Sequence, residues 1–473
     1  MAGKKQRRRK KFRQEQRNRP PTAAPRKLQA AAASIAAAEP SLAPELRATA
    51  DAPVPTPAPA LEDARPPILR VWRNPNYVLF EAGWLPQSIS SWIQRVGVTW
   101  LAWELSHSNA WVGAVAAADL APMILLAPIA GAMADRAPDA LHVLRITKVL
   151  MLLQAIALAA LMYAGLMTIE LLFILSLVTG VIHPYASASR QIVLAGSVRR
   201  DDFPAAIALD SALFQACRFI GPAIAALMII RWDVASTFLA HVVGSVILLV
   251  TLMFMSMPPR DRRGQLRRSL IIDIADSVRY ARGHGAIWPL FLLLTAASIL
   301  LRPVQELLPG FASKVFNSGA EGLGWLASSM GVGAMLSATW IAVRGRIEGL
   351  STWAIIGGLI LVLATLGLTA TDQLWLGLIF AGLTAFGLNT MSTSIQTITQ
   401  SVVSDGMRGR VMSLYSLIFR GLPAIGALVL GSIADRIGLP TTFMLMSAMS
   451  LCVWALVALQ WRAIAAAVRR EIG

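Results

Sequence analysis

Apolar segments of about twenty residues or more alternate with short polar connections from residue 77 to residue 463. An α-helix rises 1.5 Å per residue, so about twenty residues cross a hydrocarbon core of ~30 Å. The pattern therefore predicts an all-α membrane protein with twelve spanning helices. Their approximate ranges are 77–104, 110–133, 143–165, 169–194, 203–230, 235–256, 286–310, 322–343, 351–370, 373–400, 410–432 and 440–463.

The amino-acid composition agrees with a chain that is mostly surrounded by lipid. Hydrophobic residues make up 56% of the 473 residues, charged residues only 15%, and the mean hydropathy is +0.59. The two cysteines, Cys217 and Cys452, lie in apolar runs without a CxxC spacing, which predicts neither a disulfide framework nor a metal site. No nucleophile–base pair, P-loop or haem-ligating histidine pair is recognisable, so we predict no catalytic residue, no enzyme activity and no cofactor.

The first 76 residues differ from the rest of the chain. They hold sixteen Lys or Arg and six Asp or Glu, and so contribute a net +10 to the formal charge of +17. Repeated prolines disfavour a helix here, and no aromatic residues interleave with the basic run at 4–11. We therefore predict a disordered cytoplasmic tail that contacts anionic membrane lipids and not nucleic acid.

Lys and Arg are distributed unequally between alternate connections. Six connections carry at most one basic residue each, whereas the others carry clusters, and the longest, 257–285, holds seven arginines. Because basic connections stay in the cytoplasm, both termini, including residues 464–473, are predicted to be cytoplasmic. Apolar residues at helical spacing between 271 and 281 predict a short amphipathic helix on that surface.

The sequence repeats itself across this long connection. Pro222-Ala-Ile-Ala-Ala-Leu227 is echoed by Pro423-Ala-Ile-Gly-Ala-Leu428, and an arginine precedes each segment, Arg218 and Arg420. The repeat predicts two six-helix bundles, 77–256 and 286–463, joined by the linker 257–285. Repeats of this kind are typical of secondary transporters, in which two halves move around a central site.

A set of motifs in a fixed order follows the predicted helices. The segment from Gly131 to Arg136 has a GxxxDR spacing, and further segments run from 100 to 105, 218 to 222, 307 to 312 and 408 to 416. On these residues the chain resembles the major facilitator superfamily, and it is most similar to the branch of transmembrane secretion effectors that includes the enterobactin exporter. The resemblance implies a transporter whose loop motif stabilises one conformation of the transport cycle. The motif residues implied by it are Gly131, Asp135, Arg136, Arg408 and Arg410.

Charged side chains inside predicted helices cost about 2.5–3.5 kcal/mol each at the helix centre, so each needs an explanation. Asp119 is predicted either to bind the coupling proton or to form a structural ion pair with Arg95, at a comparable depth. Asp210 and Arg190 are expected to pair between neighbouring helices. Glu81 is close enough to the predicted interface for its carboxylate to reach water. The three carboxylates are the candidates for proton coupling.

Polar residues on several predicted helices outline a central cavity. Arg302 and Glu306 are four residues apart and either pair along one helix or contact the substrate. Arg218 and Arg420 either brace the two bundles or bind an anionic substrate. His183 is either a proton relay or a hydrogen-bonded structural residue. The candidates for the substrate cavity are Gln87, Gln94, Arg95, His183, Arg190, Arg218, Arg302, Glu306, Asn389, Gln396 and Arg420.

Together these features predict a secondary active transporter. Without a nucleotide site, the expected function is proton-coupled export of a small amphipathic or anionic compound, siderophore-like or drug-like, by alternating access. The expected partners are this solute, the proton and membrane lipids, and the chain is expected to act as a monomer in a bacterial inner membrane. Two alternatives stay open: an importer or lysolipid-type flippase with the same fold, and a non-transporting scaffold or sensor that works through the basic tail.

Overall fold

The computed structural model describes residues 67–137, 139–257, 270–345 and 348–472. Within these ranges every regular element is helical, as the apolar pattern predicts. The disorder predicted for residues 1–66 falls outside the described residues. Residues 67–76, which the sequence assigns to the same tail, instead contain a short helix and the start of a long one. This segment is held because Val71 is buried and Arg70 forms an ion pair with Asp202 (Nη2–Oδ1 3.0 Å).

The helices vary from five to thirty-two residues in length. In chain order they are α1 (Pro67–Val71), α2 (Pro75–Ser106), α3 (Asn109–Arg136), α4 (Ala140–Tyr163), α5 (Ile169–Gly196), α6 (Phe203–Arg231), α7 (Ala235–Phe254), α8 (Leu270–Gly283), α9 (Ile287–Ala296), α10 (Gly319–Arg344), α11 (Leu350–Thr369), α12 (Leu374–Val402), α13 (Asp405–Ser416), α14 (Leu422–Ile437), α15 (Leu439–Ala458) and α16 (Trp461–Ile472).

The regular α-helical winding is interrupted at two places, after α9 and between α13 and α14. After α9 the chain continues as a π-helical turn (Ala297–Leu301), a 3₁₀ turn (Arg302–Gln305), a short α turn (Leu308–Gly310) and a second π turn (Phe311–Val315). A further π turn, Leu417–Gly421, joins α13 to α14. Single π turns inside helices are frequent at functional sites.

Eleven helical segments within the described residues are long and apolar enough to cross a membrane. They confirm the eleven predicted spans that follow the first. The first predicted span, 77–104, lies inside α2, which is 32 residues long but is not among the eleven. Polar residues such as Glu81, Gln94 and Arg95 lower its apolar character, so this span stays a prediction.

Short polar side chains determine where several helices begin. At the start of α3, Ser108 accepts a hydrogen bond from the Trp111 amide (3.3 Å). At the start of α4, Asp139 accepts hydrogen bonds from the amides of Leu141 and His142 (2.9 and 3.1 Å). These side chains satisfy amides that have no partner in the first helical turn. Asp139 therefore caps the helix that follows the Gly131–Arg136 segment.

Close contacts at glycines join the N-terminal helices α2–α7 to the C-terminal helices α9–α15: α3 packs on α14, and α6 packs on α10. A side-chain carbon added to Gly113 would lie 2.8 Å from the carbonyl carbon of Ala427. One added to Gly324 would lie 3.2 Å from the carbonyl oxygen of Pro222 and would collide with Ala226. Ala226 and Ala427 occupy the same position in the repeated segments, so the sequence repeat corresponds to two equivalent helix contacts.

Helix α8 lies where the sequence predicts the amphipathic linker helix. It packs against α13, with Asp276 Oδ1 3.5 Å from Arg279 and Oδ2 4.0 Å from Arg410. Ala281 is buried in the same apolar cluster as Val411. One face of this helix is therefore covered by protein.

The chain ends in a helix that was not expected. α15 ends at Ala458, before the predicted end of the last span at 463, and α16 follows. Within α16, Ile464 and Val468 are buried, whereas Arg469 and Arg470 are exposed. Because α16 packs on α11 and α12, its apolar face is covered by the C-terminal helices.

Candidate functional site

Arg95 of α2 lies between two carboxylates that come from different parts of the chain. Its Nη2 atom is 2.7 Å from Oε1 of Glu306, and its Nη1 atom is 3.6 Å from Oδ2 of Asp119 on α3. The Arg95 side chain is 37% exposed in the middle part of α2, whereas the Glu306 side chain is 10% exposed. Arg95 therefore links the N-terminal helices to the segment after α9.

Glu306 does not form the i, i+4 pair with Arg302 that the sequence allows. Among the described residues the cation within ion-pair distance of Glu306 is Arg95. The backbone explains the difference, because Arg302–Gln305 is a 3₁₀ turn with three residues per turn. Side chains four positions apart are then rotated by about 120° and do not share a face as they do in an α-helix.

Trp92 of α2 lies beneath two of the arginines. The guanidinium carbons of Arg95 and Arg218 are 5.9 and 5.7 Å from the centre of the Trp92 ring. Arg218, on α6, also donates a hydrogen bond from Nη2 to Oε1 of Gln305 (3.4 Å). An indole ring attracts a cation through its negative face, but it carries no neutralising charge.

Arg302 lies at the centre of a cluster of four arginines, Arg95, Arg218, Arg302 and Arg420, which we call the arginine cluster. Its guanidinium carbon is 4.4 Å from the centre of the Phe419 ring, and its Nη1 atom is buried without a hydrogen-bond partner among the described residues. The charges of Arg95, Arg218 and Arg420 all act on it. Arg420 has an exposed side chain. The four cations therefore share one region.

Irregular winding positions two members of this cluster. A π turn directly precedes Arg302, and another contains Arg420. Pro303 and Pro423 follow these turns, and proline cannot donate the amide hydrogen bond of a regular α-helix. The sequence contains both prolines, but it does not reveal the π turns that position the two side chains.

His183 lies near the arginine cluster from the side of α5. Its side chain is exposed although it lies in the middle of a long helix, next to the buried Pro184. The charges of Asp119, Arg95 and Arg420 act on it. The structure therefore brings His183 together with the other charged residues that the sequence assigned to the cavity.

Two glutamines predicted to line the cavity form hydrogen bonds with other side chains, one between helices and one within α2. Gln94 donates a hydrogen bond to Oε1 of Gln154 on α4 (3.2 Å), and Gln87 donates to Oγ of Ser91 (3.4 Å). Both glutamine side chains are buried. Their spacing along α2 resembles that of a polar face, but their amides are directed at neighbouring protein groups.

The polar residues of α12 contact α10 in the same way. Asn389 donates hydrogen bonds to the Ala334 carbonyl oxygen (3.2 Å) and to Ser337 Oγ (3.4 Å), and Thr390 shares a 2.7 Å hydrogen bond with Ser337. The sequence left open whether this face meets water or another helix, and at these positions it meets a helix. Gln396, further along α12, is half-buried.

A second charged cluster surrounds Trp84 of α2. Arg190 and Asp210 form the ion pair that the sequence predicts between α5 and α6. The Arg190 guanidinium lies 4.0 Å from the centre of the Trp84 ring, and the buried Lys148 ammonium lies 4.9 Å from it. Arg190 is thus neutralised by Asp210, which distinguishes it from the arginine cluster.

Glu81 is buried beside this second cluster. The sequence predicts that its carboxylate reaches water at the membrane interface, and the structure does not show this. The residue is 3% exposed and has no cation within ion-pair distance among the described residues. Tyr77, Arg190 and Asp210 are its polar neighbours. The burial follows from packing, because Tyr77 and Phe80 on the same part of α2 are fully buried.

Asp435, near the end of α14, caps the start of α3. Its carboxylate accepts hydrogen bonds from Ser108 Oγ (2.5 Å), from the amides of Asn109 (2.7 Å) and Ala110 (3.0 Å), and from Asn109 Nδ2 (2.9 Å). A helix N-terminus carries unpaired amides and partial positive charge, so it attracts a carboxylate. The contact joins the N-terminal to the C-terminal helices at one end of the molecule.

Lys314 makes a further contact at this end. Its ammonium donates to the carbonyl oxygen of His107 (3.3 Å), just after α2, and lies 4.9 Å from the centre of the Trp103 ring. At this end of the molecule, Asp435 and Lys314 of the C-terminal part each form hydrogen bonds with the N-terminal part.

Comparison with known proteins identifies the family. The sequence profile of transmembrane secretion effectors, a family of the major facilitator superfamily, matches residues 76–468. The chain belongs to this family. It is therefore a multi-pass membrane transporter and not an enzyme, and the resemblance seen in its motifs is confirmed.

Similar proteins extend over most of the transporter. A staphyloferrin A transporter of Staphylococcus aureus is 26% identical over 77% of this chain and 91% of its own length. A multidrug efflux pump, Tap, of Mycolicibacterium fortuitum is 23% identical over 78% of this chain and 91% of its own length. The crystal structure of the nucleoside transporter NupG has 15% identity and a TM-score of 0.64, covering 82% of this chain and 99% of that one.

The family's loop motif is only partly within the described residues of this transporter. Gly131 lies within α3, and Asp135 and Arg136 end that helix, but their side chains are outside the described part. Arg410 lies 3.7 Å from the Met407 sulfur and 4.0 Å from Asp276. Arg408 has an exposed side chain. The role of the motif in stabilising one conformation of the transport cycle stays a prediction.

Sequence reasoning missed three residues of this transporter's site: Trp92, Gln305 and Asp435. For Asp435 a signal was present, because Gly431-Ser-Ile-Ala-Asp435-Arg436 repeats the GxxxDR spacing of the loop motif. Trp92 and Gln305 carry no comparable pattern. Their roles depend on which arginine approaches them, and that depends on how the helices pack.

Proposed function

We propose that this transporter is a proton-coupled exporter that moves a small amphipathic or anionic compound out of the cytoplasm by alternating access. The observation that carries the proposal is the position of Arg95 between Asp119 of α3 and Glu306 of the C-terminal part. A single cation shared by two carboxylates holds the two parts of the chain together, and its hold depends on the charges of both carboxylates.

This arrangement explains how export of the solute is coupled to entry of a proton. In the empty transporter with both carboxylates charged, Arg95 keeps the two parts linked. An acidic group of the solute draws Arg95 away from Glu306, and a proton on Glu306 removes the attraction equally well. Either event releases the link, so the solute leaves on one leg of the cycle and the proton comes in on the return leg.

The proposal also specifies the number of spans and their orientation. The transporter has twelve spans in two six-helix bundles, 77–256 and 286–463, and lies in a bacterial inner membrane with both termini in the cytoplasm. The distribution of Lys and Arg and the Gly113 and Gly324 contacts support it. With this orientation the Asp435 end faces outward and is closed, and His183 and Arg420 are exposed toward a cytoplasmic path.

The direction of transport is supported by the relatives. One is named as a multidrug efflux pump, and another, of Streptococcus pyogenes, as a macrolide efflux protein. An importer or lysolipid-type flippase on the same fold predicts the opposite distribution of solute. A scaffold or sensor predicts that the basic tail is required.

The decisive experiment compares a deletion strain with a strain that expresses the transporter. Metabolite profiling of cells and medium is expected to show at least one compound that accumulates in cells of the deletion strain and leaves wild-type cells. A protonophore should abolish its export. Export that ignores the protonophore contradicts proton coupling, and a compound that instead disappears from the medium of expressing cells contradicts export.

Three variants sharpen this comparison. Glu306→Gln is expected to abolish coupled export, whereas Glu104→Gln, which alters an exposed residue of α2, should leave it unchanged. Deletion of residues 2–64 preserves the Arg70–Asp202 ion pair and should retain export. Loss of export in the deletion variant, with normal amounts of protein in the membrane, favours the scaffold or sensor instead.

A further inference from the structure

The charges around Arg95 do not balance. The arginine cluster contributes four positive charges, and two carboxylates, Asp119 and Glu306, lie among them. Both carboxylates are within ion-pair distance of Arg95. Within the described ranges the other three arginines have no carboxylate at ion-pair distance, so the region has an excess of two positive charges.

The groups that contact Arg218 and Arg302 are neutral. Arg218 meets the Gln305 amide oxygen, and Arg302 lies on the Phe419 ring. The Nη1 atom of Arg302 is buried and has no hydrogen-bond acceptor in the part of the chain that the structure describes. A buried guanidinium nitrogen without an acceptor is unfavourable, and an anion bound at the site during function would supply the acceptor.

The cluster also combines charge with flat apolar surface. Trp92 lies beneath Arg95 and Arg218, and Phe419 lies beneath Arg302. Asp119 and Glu306 both pair with Arg95, and two positive charges of the cluster are left without a compensating carboxylate, which a ligand with two acidic groups would balance. A ligand that matches this arrangement carries at least two acidic groups on a body with an apolar face.

We propose that the arginine cluster selects a multivalent organic anion, with two or more carboxylate or other acidic groups, over neutral and cationic solutes. This inference rests on the proposed function, because it takes the arginine cluster as the site that binds the transported solute. It goes further because it excludes amphipathic solutes that carry no acidic group. Arginine forms paired hydrogen bonds with acidic groups, so two such groups bound by Arg218 and Arg302 account for the selection.

The experiment is calorimetric titration of the purified full chain with a series of probes that share one ring: benzamide, benzoate, isophthalate and benzene-1,3,5-tricarboxylate. At neutral pH each added carboxylate is expected to raise the affinity about tenfold, and raised ionic strength should weaken the binding of the tricarboxylate most. Equal affinity for benzamide and the tricarboxylate overturns the proposal, as does failure of every probe to bind at millimolar concentration.

Variants locate the selectivity. Arg302→Gln should reduce the affinity ratio of tricarboxylate to benzoate about tenfold, and Arg302→Lys should restore part of it. Arg420→Gln provides a second test at an exposed position where folding is not at risk. Arg231→Gln, at the exposed end of α6, is the matched control and should leave the ratio unchanged. An unchanged ratio in both Arg302→Gln and Arg420→Gln overturns the assignment to this cluster.

The outcomes separate this inference from the proposed function. Charge-selective binding together with export that ignores the protonophore contradicts the proposed coupling and supports the inference. Proton-driven export of a neutral compound, with binding that is indifferent to charge in the probe series, leaves the function intact and contradicts the inference.

Discussion

Asp435 caps the helix that begins at Asn109, and the two residues come from opposite halves of the sequence. The carboxylate oxygens accept hydrogen bonds from the Asn109 amide at 2.7 Å and from the Ala110 amide at 3.0 Å. An ordinary helix cap comes from the residue just before the helix, as Ser108 does here for α3. A second cap from α14 makes the stability of the α3 start depend on whether the two halves meet at this end.

Removal of this cap should favour separation at the Asp435 end. Asp435→Ala is expected to destabilise the closed arrangement by about 1–2 kcal/mol, a factor of roughly five to thirty in the ratio of closed to open molecules. Spin labels at the exposed positions Leu105 and Ser432, in a background without Cys217 and Cys452, would report it as longer label-to-label distances.

Asp233 offers a matched control for this measurement. It accepts a hydrogen bond from the Ser236 amide (2.9 Å) at the start of α7, so it caps a helix within its own half of the sequence. Asp233→Ala should lower stability without lengthening the distances. Equal lengthening in both variants would show that Asp435 does not act as a contact between halves.

The two carboxylates at Arg95 should contribute unequally to stability. Glu306→Gln removes a charged hydrogen bond at 2.7 Å and is expected to cost about 1–2 kcal/mol, reduced by the partial exposure of Arg95. Asp119→Asn weakens a pair at 3.6 Å and should cost less than ~1 kcal/mol. Thermal unfolding of the purified variants measures the order. A greater loss in Asp119→Asn would mean that Asp119, not Glu306, is the main partner of Arg95.

The repeated helix contacts should respond alike to added volume. Gly113→Leu and Gly324→Leu each introduce a side chain where the facing helix leaves no room, and each is expected to cost about 1–3 kcal/mol. Gly406→Ala, which has open space around it, is the control and should be neutral. Thermal unfolding and export would test both. If only one of the two leucine variants were affected, the contacts would not be equivalent.

The positions of the helices could be predicted closely from the sequence, because the length of an apolar segment does not depend on which helix it packs against. The Arg190–Asp210 pair was also predicted, and the Arg95–Asp119 pair was one of the two alternatives predicted for Asp119, since the partners lie at matching depths on neighbouring helices. The pairing of Glu306 with Arg95 could not be predicted. It depends on a 3₁₀ turn that breaks the α-helical spacing and on a contact 211 residues away along the chain.

The same limit applies to the polar residues of α2. The sequence shows that Gln94 and Glu81 are polar but not which groups face them, so Gln94 was assigned to the cavity and Glu81 to the membrane interface. Gln94 donates a hydrogen bond to Gln154, sixty residues away along the chain, and Glu81 is buried together with Tyr77 and Phe80. Burial of a polar group becomes predictable only when its partner is known.

Glu81 leads to a prediction that separates its role from that of Asp210. A charged carboxylate is unfavourable in a buried position without a cation, and a neutral amide of the same shape does not have that penalty. Glu81→Gln is therefore expected to be as stable as the wild type, or more stable by up to about 1 kcal/mol. Asp210→Asn leaves Arg190 without its carboxylate and should lose about 1–3 kcal/mol. Thermal unfolding at neutral pH compares the two variants directly, and if Glu81→Gln were destabilised as much as Asp210→Asn, the Glu81 carboxylate would be a charged member of the Trp84 cluster that holds Arg190 in place.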